Sequence, residues 1–263
     1  MQHKLIDFST YSSLKIGAPL DVALIQTTQD AIECLSKDYQ IIGKANNLLV
    51  SPQASKLAML NKSYDYLIDN EEYIEAGGAL SSGKLFNYFK SHNLAGAEFL
   101  QALPGSLGGL IKMNAGMKQY EIKNILQAIN VNGEWHNTQS FPMSYRYSGI
   151  EGVILGGRFS KCIGFDTSLQ AEFIRIRQNH PKEPSCGSCF KNPSGDYAGR
   201  LLESVGHKGY RIGGIAFSDK HSNFLINVGN AQFDEAISLI ELAQKRVYEQ
   251  NGIHLEREVQ IIA

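Results

Sequence analysis

The sequence has no apolar run close to the roughly 20 residues that a membrane-spanning helix needs, so no membrane partner is expected. Its opening, Met1-Gln2-His3-Lys4-Leu5-Ile6-Asp7, lacks the apolar stretch of a signal peptide, and residence in the cytoplasm is expected. Neither sign of charge dominates: 25 Lys and Arg stand against 26 Asp and Glu, a formal net charge of −1. Without a basic excess there is no sequence-independent attraction for nucleic acid, and any anionic ligand has to be met by local groups. Cysteine is scarce, with four in 263 residues, and a reducing compartment argues against a disulfide framework. No heptad run, fixed-period repeat or low-complexity tract is present, which excludes a coiled coil or solenoid.

What is present suits a substantial core: 43% apolar and 19% charged residues, over a length that predicts two or three subdomains. Asp21 to Ile25 reads as a buried strand, followed by a helix with Asp30 near its start and Ala31, Ile32 and Leu35 facing inward, then a strand from Tyr39 to Ile42. This β-α-β pattern ends at Gly43-Lys44-Ala45-Asn46-Asn47-Leu48-Leu49-Val50. Glycine and asparagine there tolerate positive φ, so the loop can turn its N–H groups toward a phosphate or can be a plain turn.

From Tyr66 to Phe159 the pattern changes to short strands such as Tyr73 to Ala76 and Val153 to Leu155, broken by glycine pairs, which predicts a second α+β lobe. Within it, Leu94 to Gly116 packs five glycines among small and apolar residues, so backbone comes close to something there. That stretch has the spacing of neither a phosphate-binding P-loop nor a Rossmann turn. A third region runs from about Gly164 to Gly252. It holds a short helix from Ala198 to Val205 that Gly206 can close, with Asp196 or Ser194 near its start, and a strand from Phe224 to Val228. A longer helix then has Phe233, Ala236, Ile237, Ile240, Ala243 and Val247 as its core stripe and Gly252 at its end. From Ile253 to Ala263 strict alternation predicts a strand with Ile253, Leu255, Val259 and Ile261 inward and His254, Glu256, Glu258 and Gln260 outward.

Cys186-Gly187-Ser188-Cys189 has the spacing of half a zinc site or of a redox dithiol, which makes a flavin-free zinc or dithiol protein the rival functional reading. As a metal signal it is incomplete, because no second C-x-x-C and no H-x-x-x-H comes after it, and no metal is expected.

Seven ordered segments carry a more specific signal. They are Gly43 to Leu49, Pro104-Gly105-Ser106-Leu107-Gly108-Gly109, Asn114-Ala115-Gly116, Tyr145-Arg146-Tyr147-Ser148, Gly187-Ser188-Cys189-Phe190-Lys191-Asn192-Pro193, Gly209 to Gly214, and Leu255-Glu256-Arg257-Glu258-Val259. In this order, over nearly the whole chain, they resemble the UDP-N-acetylenolpyruvoylglucosamine reductases, flavoenzymes that make UDP-N-acetylmuramate for peptidoglycan. Two segments depart from the usual pattern: Lys44-Ala45-Asn46 replaces a more glycine-rich stretch, and Gln101-Ala102-Leu103 precedes Pro104 where a glycine-isoleucine pair is more usual. The short span between Arg146 and Ser188 resembles the compact class, which lacks a substrate-capping insertion.

The resemblance implies an α+β, three-domain flavoprotein in which two N-terminal domains enclose FAD and a C-terminal α+β domain binds substrate. Its parts are residues 1–62 rejoined by 254–263, residues 63–163, and residues 164–253. Residues Gly43, Lys44, Ala45, Asn46, Asn47 and Leu48, together with Pro104, Gly105, Ser106, Gly108, Gly109 and Asn114, are implied to bind FAD. The implied reaction is NADPH-driven reduction of the enolpyruvyl group of a UDP-sugar. Arg146 and Glu258 would stabilise the enolic intermediate and Ser188 would protonate it, while Tyr145, Lys191, Asn192 and His221 contact the substrate. The expected partners are these small molecules, and a monomer is expected.

Overall fold

Thr27 and Asp30 decide where the first long helix begins. The Thr27 hydroxyl accepts the Asp30 N–H at 3.1 Å and the Asp30 carboxylate accepts the Thr27 N–H at 2.9 Å, a reciprocal cap that starts the helix Thr28–Ser36. Ala31 and Cys34, one turn apart, take its buried face; Ile32, expected inward, is exposed because it lies about 100° around the helix from Ala31. The structure, a computed structural model, describes residues 1–263 and divides into two compact units, one of residues 1–4, 22–44 and 56–178, the other of residues 5–21, 45–55 and 179–263.

The first unit carries the greater part of a four-stranded sheet, in the order Gln2–Asp7, Pro19–Ile25, Leu57–Leu60, Gln40–Ile41, whose last three strands are parallel. The strand expected from Tyr39 to Ile42 is therefore shorter, and Leu57–Leu60 lies between it and its β-α-β partner. The same unit holds a five-stranded antiparallel sheet, ordered Glu134–Asn137, Leu126–Val131, Ile154–Ser160, Tyr73–Gly77, Leu67–Asp69. Ile74, Ala76, Ile129 and Phe159 from this sheet share one core with Leu85 and Phe89 of the helix Ser82–Ser91, Ile111 of Leu107–Lys112 and Phe173 of Thr167–Arg177. Each large side chain so buried contributes about 1.5–3 kcal/mol.

The second unit is built on an antiparallel sheet in the order Ser185–Ser188, Phe224–Asn227, Ile215–Phe217, Arg211–Ile212. The long helix Phe233–Asn251 buries Ala236, Leu239, Ile240, Ala243 and Val247 and ends at Gly252 with φ of 68°. The Glu235 carboxylate caps its start by accepting the N–H groups of Gln232 and Gly214, each at 3.0 Å. The short helix spans Ala198–Ser204, and neither Asp196 nor Ser194 caps it: the Asn192 Oδ1 accepts the Ala198 N–H at 3.1 Å.

The tail departs most from expectation. Only Gln260–Ile262 forms a ladder, parallel to Leu48–Val50, and Glu258 is buried instead of solvated. In a regular strand successive N–H groups point to opposite sides, whereas here Glu258 and Val259 both donate to the Cys189 carbonyl, at 2.8 and 3.2 Å, so the chain bends and the alternation breaks. Across the whole structure no helix is long and apolar enough to cross a membrane.

His207, just beyond the short helix, is fully buried between the rings of Tyr210 and Phe217, and neither ring nitrogen has a partner. Burial, with the nearby Arg246 charge adding to it, pushes its imidazole down to about 4 from an ordinary 6.5. A depressed histidine favours folding fully above pH 6.5 and progressively less as pH falls toward 4, because the unfolded chain takes the proton first. Denaturant titrations at stepped pH should show His207→Phe losing less stability than the parent over that window, by up to about 3 kcal/mol. Parallel pH profiles would refute this account.

Candidate active site

In the first unit, Gly43, which begins its loop, lies against Ser106 of the Pro104–Gly109 turn. A Cβ on Gly43 would stand 2.5 Å from the Ser106 Oγ, so a larger residue there would force the Ser106 hydroxyl to move. The turn is laced to its surroundings through backbone: Gly105 C=O accepts the Ser82 N–H at 3.0 Å, Leu107 donates to Leu80 C=O at 2.8 Å, and Gly108 donates to Gly78 C=O at 2.8 Å. Ser106 is buried, while Pro104, Gly109 and Lys44 are exposed.

Asn114, fully buried, spends its side chain within the protein. Its Nδ2 donates to Ser144 C=O at 2.9 Å and its Oδ1 accepts the Lys123 N–H at 3.3 Å. The Lys123 ammonium donates to Met143 C=O at 3.0 Å. These bonds anchor the base of a tight turn in which Ser144 and Tyr147 exchange backbone hydrogen bonds of 2.8 and 3.1 Å. Arg146 sits in that turn at φ of 56°, a left-handed conformation that costs a non-glycine residue about 1 kcal/mol. Its guanidinium lies 4.9 Å from the Tyr145 ring centre, within cation–π range, and Tyr145 is itself exposed.

In the second unit the Ser188 strand is bulged. Ser185 pairs with Ile226 and Ser188 with Phe224, although the chain between the two pairs has an extra residue, accommodated by Gly187 at φ of 82°. Asn223, almost fully buried, clamps Cys189 and Phe190, the two residues after Ser188. Its Oδ1 accepts the Phe190 N–H at 3.0 Å, its Nδ2 donates to Phe190 C=O at 2.7 Å, and its carbonyl accepts the Cys189 N–H at 2.7 Å. The Cys189 carbonyl then takes the two tail N–H groups, which places Glu258 beside the residue next to Ser188. Asn47 joins the same group, donating through Nδ2 to Glu258 C=O at 2.8 Å and accepting the Gln260 N–H at 3.0 Å.

Next to it, Ala45 takes a positive φ of 50°, and the Asn46 Nδ2 donates to Ser13 Oγ at 2.7 Å. The Asn46 Oδ1 is buried without a protein partner. A buried, orphaned acceptor in this loop fits a bound ligand that supplies a hydrogen-bond donor, as the ribityl and adenine parts of FAD can.

The other expected contact residues are placed less directly. Lys191 pairs with Glu256 at 2.5 Å, and Leu48 begins the strand that pairs with the tail. Asn192 is occupied at the start of the short helix. His221 is half-buried and lies edge-on to Phe224, the cross-strand partner of Ser188, at 4.6 Å. Burial pushes its imidazole below the ordinary value, which favours the neutral form. His180, which the sequence did not single out, packs at a tilt against the same Phe224, with ring centres 4.7 Å apart.

The C-x-x-C reading is not supported. Both cysteines are buried; burial pushes the Cys186 thiol up to about 12 and the Cys189 thiol well above its ordinary value, and the Glu258 charge raises both further. No group of three or more His, Cys, Asp or Glu side chains is placed to hold a metal ion.

A family described as UDP-N-acetylenolpyruvoylglucosamine reductase, C-terminal domain, matches residues 179–262. The chain is 71% identical to the UDP-N-acetylenolpyruvoylglucosamine reductase of Helicobacter hepaticus, with all of both chains covered. It belongs to that reductase family. To the reductase of that name in Campylobacter jejuni it is 40% identical, over 98% of this chain and all of the relative. The crystal structure of the Thermus caldophilus reductase superimposes with a TM-score of 0.86 at 27% identity, covering all of both chains, so the mixed α/β fold is that of the reductase family.

The structure adds Asn223 as the clamp of the motif that carries Ser188, and it shows Asn114, expected at the flavin, anchoring the turn that carries Arg146. Asn223 lies 35 residues beyond Ser188 and has no local signal in the sequence, because only the fold brings it beside that motif. With both thiols buried and shifted upward, alkylation of the native protein should label the exposed Cys162 and spare Cys186 and Cys189 until denaturant is added. Peptide mass mapping reads this directly, and rapid native labelling of Cys186 or Cys189 would restore the dithiol reading.

Proposed function

We propose that this chain catalyses the NADPH-driven, FAD-dependent reduction of the enolpyruvyl double bond of UDP-N-acetylglucosamine enolpyruvate, giving UDP-N-acetylmuramate for peptidoglycan synthesis. The full-length likeness to reductases of that name carries the reading. The attachment of the Glu258 backbone to Cys189, next to Ser188, connects it to particular residues.

FAD, when bound, would relay hydride from NADPH to the methylene carbon of the substrate. The first task of the protein is to hold that cofactor. We assign this to backbone and small side chains at Gly43, Lys44, Ala45, Asn46, Asn47 and Leu48 and at Pro104, Gly105, Ser106, Gly108 and Gly109. The orphaned Asn46 Oδ1 and the close approach of Gly43 to Ser106 support the assignment. Asn114, whose amide is engaged at Ser144 and Lys123, would serve the site through the turn it anchors.

Once hydride has added, negative charge collects on the neighbouring carbon and its carboxylate. A fixed cation or donor must stabilise that charge, and a proton must arrive on the correct face. Arg146 supplies a guanidinium that stays charged at any working pH, on a turn whose left-handed backbone fixes its direction. Glu258 assists through a protonated carboxyl or a bridging water. Ser188 delivers the proton from its hydroxyl to the carbon. Serine is a weak acid, but a carbanionic enolate is a strong enough base to take its proton over a short distance.

Lys191, Asn192, Tyr145 and His221 are assigned to the UDP-sugar. Lys191 would exchange Glu256, which is largely exposed and so a weak partner, for a substrate phosphate.

We also assign residues 1–62 with 254–263, residues 63–163 and residues 164–253 to two flavin-enclosing domains and a substrate domain. The separation of the sheets and the pairing of Gln260–Ile262 with Leu48–Val50 support this division. We further propose that the reductase works in the cytoplasm as a monomer.

The protein should purify yellow and bleach with NADPH. In stopped flow, Ser188→Ala should be reduced by NADPH at the parental rate, while its reoxidation by the enolpyruvyl substrate slows by at least ~10²-fold. Equal slowing of both half-reactions would remove Ser188 from the role of proton donor.

A further inference from the structure

In the first unit, the segment that leads into the Pro104–Gly109 turn is fastened to one face of the helix Thr167–Arg177. Asp166, which caps that helix, Gln170, Phe173 and Arg177 follow one another at spacings of four, three and four residues, so they stand in a row along one side. Each of them meets a residue of the short 3-10 helix Glu98–Ala102. The buried Glu98 carboxylate accepts the Asp166 N–H at 2.9 Å and the Gly96 N–H at 2.7 Å. The Gln170 Nε2 donates to Gln101 Oε1 at 3.3 Å, and the rings of Phe173 and Phe99 pack edge to face with centres 6.5 Å apart. At the end of the row the Arg177 Nη1 donates to Ala102 C=O. Gln101 and Ala102 belong to the stretch that departs from the usual family pattern.

The last of these bonds has the most to hold. Leu103 and Pro104 carry the chain from Ala102 to Gly105, whose carbonyl accepts the Ser82 N–H at 3.0 Å. Pro104 has no N–H with which to anchor itself. A cavity of about 620 Å³, whose lining includes Ser82, Leu103, Pro104 and Arg177, flanks this stretch, so packing on that side leaves the chain room to move. Two bonds therefore bracket Pro104, Arg177 to Ala102 before it and Ser82 to Gly105 after it, and only the first is made by a side chain. A charged donor makes it the stronger kind of hydrogen bond. We propose that Arg177 is a positioning residue for the flavin: resting on the proposed function, it acts through the backbone of Ala102 to hold Pro104 and Gly105 where they meet FAD. Glu98, Gln170 and the Phe99–Phe173 contact keep the rest of the segment on the helix, so losing the Arg177 bond frees the turn without unfolding what precedes it.

Two substitutions test the bond. Arg177→Met keeps the apolar stem and removes the donor, whereas Arg177→Lys keeps a charged donor on a stem of similar reach. The measurements, all on the full chain, are the dissociation constant for FAD, the visible spectrum and midpoint potential of the bound flavin, and the melting temperature of the flavin-free protein. Arg177→Met should bind FAD more weakly by about tenfold or more, the worth of one hydrogen bond from a charged donor. Its bound flavin should show a shifted spectrum and potential, while the flavin-free protein melts close to the parent. Arg177→Lys should recover most of the affinity and the parental spectrum. If Arg177→Met equals the parent in affinity, spectrum and potential, the flavin turn does not depend on Arg177 and the assignment fails. It fails equally if the affinity falls together with the melting temperature of the flavin-free protein and Arg177→Lys recovers neither, since the residue is then only structural. A parent protein that takes up no FAD would overturn the proposed function, and this assignment with it.

Discussion

The carbonyl oxygen of Cys189 accepts two backbone N–H groups from the tail, those of Glu258 and Val259, and the arrangement of the second unit around Ser188 depends on that double acceptance. Buried N–H groups have to find partners, because leaving one unsatisfied costs about 1–3 kcal/mol. The segment between Gly252 and Val259 has neither a helix nor a ladder of its own to satisfy them. The solution is a bend that points two successive donors at one acceptor. It buries Glu258, leaves Glu256 at the surface, and lets Gln260–Ile262 resume as a strand beside Leu48–Val50. Asn223 and Asn47 secure the two sides of this junction, one holding Phe190 and Cys189, the other holding Glu258 and Gln260.

The first unit obeys the same logic at a different place. Asn114 is buried as completely as any core residue, and its amide links the end of one short helix to the turn that carries Arg146. In both units a buried asparagine makes several backbone hydrogen bonds and so positions a neighbouring polar residue without itself being presented to a ligand. A buried amide is costly unless fully bonded, and when fully bonded it specifies one arrangement of the chain around it. The cost of holding Arg146 in the left-handed region is met by the same bonds, which leave its turn little alternative.

Much of the element order was legible. The core stripe of Phe233–Asn251, its glycine stop and the β-α-β start arise from periodicity and capping chemistry, which are local. The errors fall where a tertiary contact overrides a local pattern. Ile32 was expected inward, but Ala31 and Cys34 define the packed face. Asp196 lies near the start of the short helix as expected and accepts the Tyr197 N–H at 2.7 Å, but the Ala198 N–H goes to the more distant Asn192. The alternation from Ile253 to Ala263 promised a full strand with solvated glutamates, and the pull of a single carbonyl divides it. The C-x-x-C pattern was equally ambiguous, since spacing does not show that both sulfurs are buried and held as thiols.

By itself the sequence determined the family, because seven ordered motifs over nearly the whole chain leave little room for coincidence, and it determined which residue types are available for an enolate: a hydroxyl, a guanidinium and a carboxyl. Only the tertiary structure decided which groups are already committed. Asn114, Asn192 and Asn47 look like ligand contacts in the sequence and are engaged with the protein, whereas the Asn46 Oδ1 is left without a partner. The reason is that hydrogen-bond capacity is finite. A motif shows that a polar group exists, but whether it is free to meet a ligand depends on partners that arrive from distant parts of the chain.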